Sequence, residues 1–370
     1  WLMSEGTGVT ISKELKRKKE WPYAEASYTY KFEPINGMEF NPSSQQIGLF
    51  DWARLGTGNA FVEAVAGSGK TTSLLRAIQF MKGTVVCIAF GAKIAAEFKL
   101  KVEQMGLSGK VQVMTAHACG NRALRNSPVY RKTVLCKNFE KSDAMLAYLK
   151  PDNYQEFPPH LARAVVKLVS LARQSGVMIN WDITDIGEWQ ELADHYSVDD
   201  LIPEHLDPAV AMKEAINYAI KGVEWSLKVA DKMIEFDDMC WVPLVKDLKF
   251  EKFDWVLVDE AQDLNGMRRL IAGKLMKESS RMIAVGDRHQ AIFGFTGADA
   301  DSVDQIVSTF KCAQLPLTVT YRCGANIVKE AQKYVKHIVA AEGLAEGSVE
   351  TMSRATFEEK VMMHLTPDDV

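Results

Sequence analysis

No apolar run in this 370-residue sequence is long enough to cross a bilayer, so the sequence offers no membrane-spanning helix. The first residues mix Ser, Glu and Gly ahead of a charged stretch, and no secretory signal pattern is visible. The six cysteines (Cys87, Cys119, Cys136, Cys240, Cys312 and Cys323) never form a Cys-x-x-Cys pair. That spacing argues against a zinc site or a disulfide framework and for reduced, cytosolic thiols. A global basic footprint is missing too, since the formal net charge is −4. This excludes a protein that coats nucleic acid by charge alone, but not one that grips a single strand by stacking and a few cations. Internal repeats and low-complexity tracts are absent. What remains, 47% hydrophobic and 25% charged, is the balance of a soluble protein, expected in the cytoplasm.

A chain of this length is expected to split into two or three domains. Residues 1–39 hold a charged stretch from Lys13 to Glu20 and then Trp21, Tyr23, Tyr28, Tyr30 and Phe32, and are read as an N-terminal extension. Its charges are read as a solvated face, a basic arm on nucleic acid being the other choice. From Ala60 the pattern becomes strand (61–65), glycine loop, then a helix from Lys70 to Met81 that Gly83 ends. Thr84 to Phe90 is a nearly unbroken apolar run, as a buried parallel strand should be, followed by a helix from Ala92 to about Met105 and a strand at 111–114. This alternation predicts a parallel α/β sheet.

The alternation stops between 121 and 245, where helices dominate. One spans His160 to Gln174 with Leu161, Val165, Leu168 and Leu171 on one stripe and Gly176 as its stop. Another follows Pro208 and carries Val210, Ala215, Ile216, Ala219, Ile220 and Val223. Strand character returns at 255–258 and 282–285, each strand ending in an acid, Asp259 and Asp287. Open α/β sheets bind ligands at that carboxyl edge.

Three segments carry chemistry. Residues 64–72 (Ala-Val-Ala-Gly-Ser-Gly-Lys-Thr-Thr) keep phosphate-loop spacing, with Ala64 where glycine is usual. Ala66, Gly67, Ser68, Gly69 and Thr72 would wrap phosphate oxygens with backbone N–H groups at a helix N-terminus. Lys70 would bridge β- and γ-phosphates, and the Thr71 hydroxyl would ligate Mg²⁺. The alternative is a glycine-rich turn without a ligand. Asp259 suits the metal, and Glu260 suits the general base that activates water; alone, the pair is only an acidic strand end. Gln290, three residues beyond Asp287, offers an amide to sense the γ-phosphate. Phe293 and Phe295 follow among glycines, either core or positioned to stack on bases, a contact worth ~1–3 kcal/mol each. Tyr321-Arg322 ends the stretch 315–320, and its arginine is either a γ-phosphate contact, worth ~10³–10⁵ in rate for arginine fingers, or an exposed strand-end cation.

In this order, the segments resemble the UvrD/Rep-type superfamily 1 DNA helicases of bacterial or phage type, from about Phe40 to the C-terminus. Residues 41–46 (Asn-Pro-Ser-Ser-Gln-Gln) resemble the Q motif, which implies that Gln46, or its neighbour Gln45, reads adenine. Residues 89–93 are similar to motif Ia, implying strand contacts from Phe90 and Lys93, and residues 115–117 to motif Ib, implying phosphate contacts from Thr115 and His117. Residues 259–263 match motif II, and 285–298 match motif III with Phe293 and Phe295 at its stacking positions. Tyr321-Arg322 matches motif IV, implying Tyr321 against adenine and Arg322 on the γ-phosphate. Residues 236–239 resemble the segment that returns from the helical insertion. Thr296 departs from the pattern, standing where the family carries an arginine.

The resemblance implies a RecA-like phosphate-loop fold. A first motor domain would span 40–120 and 246–312, a helical insertion 121–245, and the incomplete start of a second RecA-like domain 313–370. It implies ATP and Mg²⁺ as cofactors, single-stranded DNA and single/double-strand junctions as partners, and 3′-to-5′ movement with unwinding. A nucleotide-gated strand-binding or protein-displacing module without unwinding is the second reading, and an ATPase acting on proteins alone is the third. The opening on Trp1 and the strand-like end at 367–370 suggest a fragment. A complete polypeptide of this length is expected to be a crippled motor, and a longer one active.

Overall fold

The structure is a computed structural model that describes residues 2–3, 9–14, 27–34, 39–137, 139–152, 154–290 and 302–353, with side chains from residue 30 onward. Its centre is a six-stranded, all-parallel sheet of β1 (Ala60–Ala64), β2 (Val85–Ala89), β3 (Val111–Thr115), β4 (Phe253–Val258), β5 (Met276–Gly286) and β6 (Ala313–Leu317). The spatial order is β6-β1-β5-β4-β2-β3. Val85 to Ala89 is buried at every position, as a strand covered on both faces requires. Pro316, which has no N–H to donate, sits in the edge strand β6.

The order places the site. β1 is followed in the chain by β2, yet β5 and β4 lie between them in space. The loop leaving β1 therefore faces the tips of β5 and β4, the strands that are followed by Asp287 and Asp259. Because all six strands run the same way, Ala66, Phe90, Thr115, Asp259, Asp287 and Thr318 emerge along one edge.

Twelve helices appear among the described residues. On one face of the sheet, α1 (Ser44–Leu55), α2 (Lys70–Ala77) and α3 (Ala92–Gln104) enclose a core that includes Phe50, Trp52, Leu74, Val85 and Leu257. Tyr30 belongs to this core, its hydroxyl donating to Asp51, and Phe32 packs against it. Tyr30 and Phe32 thus join this core rather than standing off as an extension, held by aromatic contacts to Phe50 and Phe80. Trp21, Tyr23 and the charged residues 15–20 lie outside the described residues.

On the other face, α4 (Ala116–Asn126), α9 (Asp238–Val245), α10 (Gly266–Lys274) and α11 (Ser302–Phe310) cover the sheet. Their core runs without a break into α5 (Glu140–Leu149), α6 (Pro159–Ser175), α7 (Ile186–His195) and α8 (Pro208–Lys228). The α6 stripe is buried as its spacing predicts, and Gly176 ends the helix in the left-handed conformation (φ 95°). In α8, Val210 is 65% exposed because the first turn projects beyond the packed stretch, and Ile220 is only partly buried. Gly120 lets α4 meet α9, since a Cβ there would lie 1.9 Å from the Met239 carbonyl oxygen.

A buried ionic cluster ties these helices together. Lys141 (α5) and Arg173 (α6) both bond Asp238 (α9), at 2.5 and 2.9 Å, and Arg173 also pairs with Glu235. Burial works to raise the Asp238 carboxyl, and the charges of Arg173 and Lys141 overcome it, holding it below the usual carboxylate range.

Three local differences from the sequence reading have simple causes. The helix after Lys70 is α-helical through Ala77 and closes as a 3₁₀ turn over Ile78–Phe80. β5 starts at Met276, six residues before the apolar stretch, with a register shift between Met276 and Arg281. The 315–320 stretch divides at Thr318; Val319–Thr320 pairs with Val339–Ala340 as a separate parallel ribbon. Α12 (Ala325–Ala331) sits beside that ribbon. No helix among the described residues is long and apolar enough to cross a membrane.

Candidate nucleotide site and strand-facing edge

Gly67 and Gly69 take φ of 73° and 77°, a region that glycine enters without a Cβ penalty, and this curls the loop between β1 and α2. Gly69 caps α2 with no side-chain bond, so the first amides of that helix remain for an anion. The Ser68 hydroxyl is buried with no partner among the described residues. The loop's floor is the chain just after β6: Tyr321 N donates to the Gly67 carbonyl at 2.9 Å, and a Cβ on Gly67 would lie 2.5 Å from Arg322 Cβ and 2.6 Å from Thr320 Oγ1.

Opposite the loop stand the acids of β4. Lys70 Nζ lies 2.7 Å from Glu260 Oε2, and Thr71 Oγ1 donates to Asp259 Oδ2 at 3.1 Å. Glu260 is a non-glycine residue with φ 50°, a strained conformation of the kind held at functional sites. Burial, then the charge of Glu260, raises the Asp259 carboxyl against the bond from Thr71 and the charge of Lys70. Asp263, with one buried oxygen unpartnered among the described residues, is raised to about 6 by burial and by Glu260. Three carboxylates thus face one lysine, a set of hard oxygens short of positive charge, which suits a hard divalent cation. No ready-made cluster of His, Cys, Asp and Glu for a metal occurs among the described residues.

Gln46 is not open to a base in this structure. Ser43 caps α1, and the Gln46 side chain closes a capping box by accepting from Ser43 N at 2.9 Å. Its amide nitrogen donates to Ser73 Oγ at 2.8 Å, so one end closes the α1 cap and the other braces the loop helix. Gln45 holds Thr318 through two bonds, to its amide and to its hydroxyl. Gln290 turns back on Asp287, donating to its carboxylate at 2.7 Å rather than pointing at the loop. Tyr321 and Arg322 are exposed beside the loop, and the Arg322 guanidinium makes no ion pair among the described residues.

Sequence reasoning passed over Gln262. Its amide donates to Glu260 at 2.9 Å and accepts from Asp287 N at 3.1 Å, joining the tips of β4 and β5. Arg268 was also missed. Its guanidinium lies 4.6 Å from the Phe90 ring centre and faces the buried His117. Phe90, Lys93, Thr115 and His117 do fall on one edge, with Lys93 exposed. Thr115 caps α4, accepting from Ala118 N, and His117 stacks on Phe236 at 3.7 Å between ring centres. Burial and Arg268 push the His117 imidazole down to about 3, so it is neutral, unlike a cation made for phosphate. Phe293, Phe295 and Thr296 lie outside the described residues.

Residues 51–311 match the model of the UvrD/REP helicase N-terminal domain. The chain is 26% identical to DNA helicase II of Haemophilus influenzae over 304 residues, covering 75% of this chain and 38% of that protein. It is 24% identical over 335 residues to the ATP-dependent DNA helicase PcrA of Staphylococcus epidermidis, covering 82% and 41%. With DNA helicase II of Escherichia coli the identity is 25% over 308 residues, covering 75% and 38%. The aligned part spans about two fifths of each of these relatives. On the family match, its phosphate loop and its acid-tipped parallel sheet, this chain belongs to the UvrD/REP helicase family, whose N-terminal domain it carries.

Proposed function

We propose that this chain is the nucleotide-hydrolysing part of an ATP-dependent DNA helicase that moves 3′-to-5′ along single-stranded DNA and unwinds duplexes at single/double-strand junctions. One observation carries the reading: Lys70 and Thr71 of the loop meet Glu260 and Asp259 of β4 across a crevice walled by Tyr321 and Arg322. The names of the relatives support it.

The loop amides and Lys70 would bind the β- and γ-phosphates of ATP. Magnesium, held by Thr71 and Asp259, would supply charge neutralisation on those phosphates. A γ-phosphate that competes for Lys70 releases Glu260, whose carboxylate is then free to accept the proton of the attacking water. Gln262 fixes the Glu260 carboxylate and ties it to the tip of β5. Arg322 would meet charge on the γ-phosphate from the far wall, and Tyr321 would lie against adenine. Gln46 supports the adenine side by bracing α2. The edge from Phe90 through Lys93, Thr115 and His117 would carry the single strand, together with Phe293 and Phe295. A cytoplasmic location suits these partners.

A strand-binding module without catalysis would give Glu260 no task, and the water-activating arrangement favours the motor. The test is steady-state ATP hydrolysis by the full-length protein with and without oligo(dT). A strong rise with the oligonucleotide supports the reading, and a flat response removes the DNA motor. A strand-separation assay on a 3′-tailed duplex then decides between a motor and a displacement module.

A further inference from the structure

The register between β1 and β6 ends at Ala64 and Leu317. The Thr318 N–H therefore falls just beyond the sheet, where a backbone donor still needs a partner. Gln45, in the first turn of α1, supplies it. Its side-chain carbonyl accepts from Thr318 N at 2.8 Å, and its amide nitrogen donates to Thr318 Oγ1 at 2.9 Å. A backbone N–H can only donate, which fixes the end of the amide that faces it and leaves the NH₂ for the hydroxyl. The Thr318 carbonyl in turn accepts from Val339 N at 2.9 Å, where the parallel ribbon begins. One residue between sheet and ribbon is thus held at its amide, its hydroxyl and its carbonyl.

This clamp fixes the wall of the crevice. The Leu317 carbonyl accepts from Val65 N at 3.0 Å and Tyr321 N donates to the Gly67 carbonyl at 2.9 Å, so residues 317–322 run along the phosphate loop. Arg322 stands four residues beyond Thr318, with its Cβ against Gly67. Gln46, next to Gln45 on the same turn, braces the opposite side through Ser73, whose hydroxyl donates to the Gly69 carbonyl. Successive side chains on a helix point ~100° apart, so one turn can reach both sides. Adjacent residues of a single capped turn therefore hold the loop helix and the wall that faces it, and the turn sets their spacing.

We propose that Gln45 is a positioning residue for ATP hydrolysis: by clamping Thr318 to α1, it holds Arg322 beside the phosphate loop. This role rests on the reading of Arg322 given above, as the group that meets charge on the γ-phosphate. It also gives Gln45 a task at the exit from the sheet instead of at adenine. Gln45 touches no reacting atom, and its effect on the rate passes through the arginine.

The test is steady-state ATP hydrolysis with oligo(dT) by the full-length protein and its Gln45→Ala, Thr318→Val and Thr318→Ser variants, each with and without Arg322→Ala. Gln45→Ala removes two hydrogen bonds and should lower kcat about 5- to 150-fold, by more than it raises KM. Thr318→Val removes one bond and should cost less, and Thr318→Ser, which keeps the hydroxyl, should recover most of that loss. In the Arg322→Ala protein, Gln45→Ala should change kcat by less than about twofold, because the group it positions is gone. A loss of stability alone would slow both backgrounds alike. If Gln45→Ala does not fold, Thr318→Val carries the same comparison. Equal losses in both backgrounds, an unchanged kcat in Gln45→Ala, or a Thr318→Ser protein as slow as Thr318→Val overturns the clamp, while stimulation of the parent by oligo(dT) keeps the motor reading. If Arg322→Ala hydrolyses ATP as fast as the parent, the role of the arginine falls and the clamp with it.

Discussion

Lys70 Nζ and Glu260 Oε2 stand 2.7 Å apart although 190 residues separate them in the chain. The pairing exists because β1 and β4 end at the same edge of a parallel sheet. In the proposed reading it joins the two groups that a phosphoryl transfer needs, a cation for the phosphates and a carboxylate for the water. Their losses should therefore differ in kind. Lys70→Ala should weaken ATP binding by ~10–100-fold, the size of a charge-assisted bond. Glu260→Gln should bind ATP at least as well while lowering kcat by ~10²–10⁴. Calorimetry with single-turnover hydrolysis separates the two, and equal effects on binding would contradict the division of roles.

Gly67→Ala should damage the loop from two directions. A side chain at φ 73° costs ~1–2 kcal/mol, and its Cβ would lie 2.5 Å from Arg322 Cβ. Thermal unfolding should shift downward by that amount. Nucleotide affinity should fall further, because residues 320–322 must retreat from the crevice. A variant with unchanged affinity would show that this wall does not touch the nucleotide.

Acid sensitivity has an identifiable source. Between about pH 3 and 6.5 the unfolded chain protonates His117 while the folded protein keeps it neutral, so its contribution to stability falls as pH falls. Asp263 acts oppositely: raised to about 6, it favours the folded state as pH drops toward 4, but over a narrower span. His117 should win. From pH 7 to pH 5 the parent should lose ~2 kcal/mol more than His117→Gln, measured by urea unfolding. Parallel losses in both proteins would contradict the buried, neutral imidazole.

Arg173→Met should be among the most destabilising changes in the helical insertion. It leaves Asp238, fully buried, with Lys141 as its one remaining cation among the described residues, and strips Glu235 of its ion-pair partner Arg173. Removing one member of such a cluster costs ~3–5 kcal/mol. Urea unfolding should show this as a large fall in midpoint without a change in slope, and a loss below ~1 kcal/mol would mean that water reaches the cluster.

The sheet was legible because a strand buried on both faces has to be apolar throughout, and Val85 to Ala89 declares itself. The phosphate loop and the acids were legible because their spacing is local. Tyr30 and Phe32 were not, since their partners Phe50 and Phe80 lie far along the chain and alternating aromatics do not say what they pack on. Gln262 was hidden for the same reason, its second bond coming from the Asp287 amide. Gln46 carried a signal that went unused: Ser43-x-x-Gln46 is a capping box, and it predicts a side chain folded back on its own helix. The edge from Phe90 to His117 could be read as residues, but the neutral state of His117 follows from burial beneath Phe236, which no spacing reveals.

The most direct measurement is calorimetric titration of a non-hydrolysable ATP analogue into the protein, with and without magnesium. One saturable site is predicted, weakened when magnesium is withheld and largely lost in Lys70→Ala. No uptake, or uptake indifferent to both changes, would mean that the lysine and the acids it faces do not form a triphosphate site.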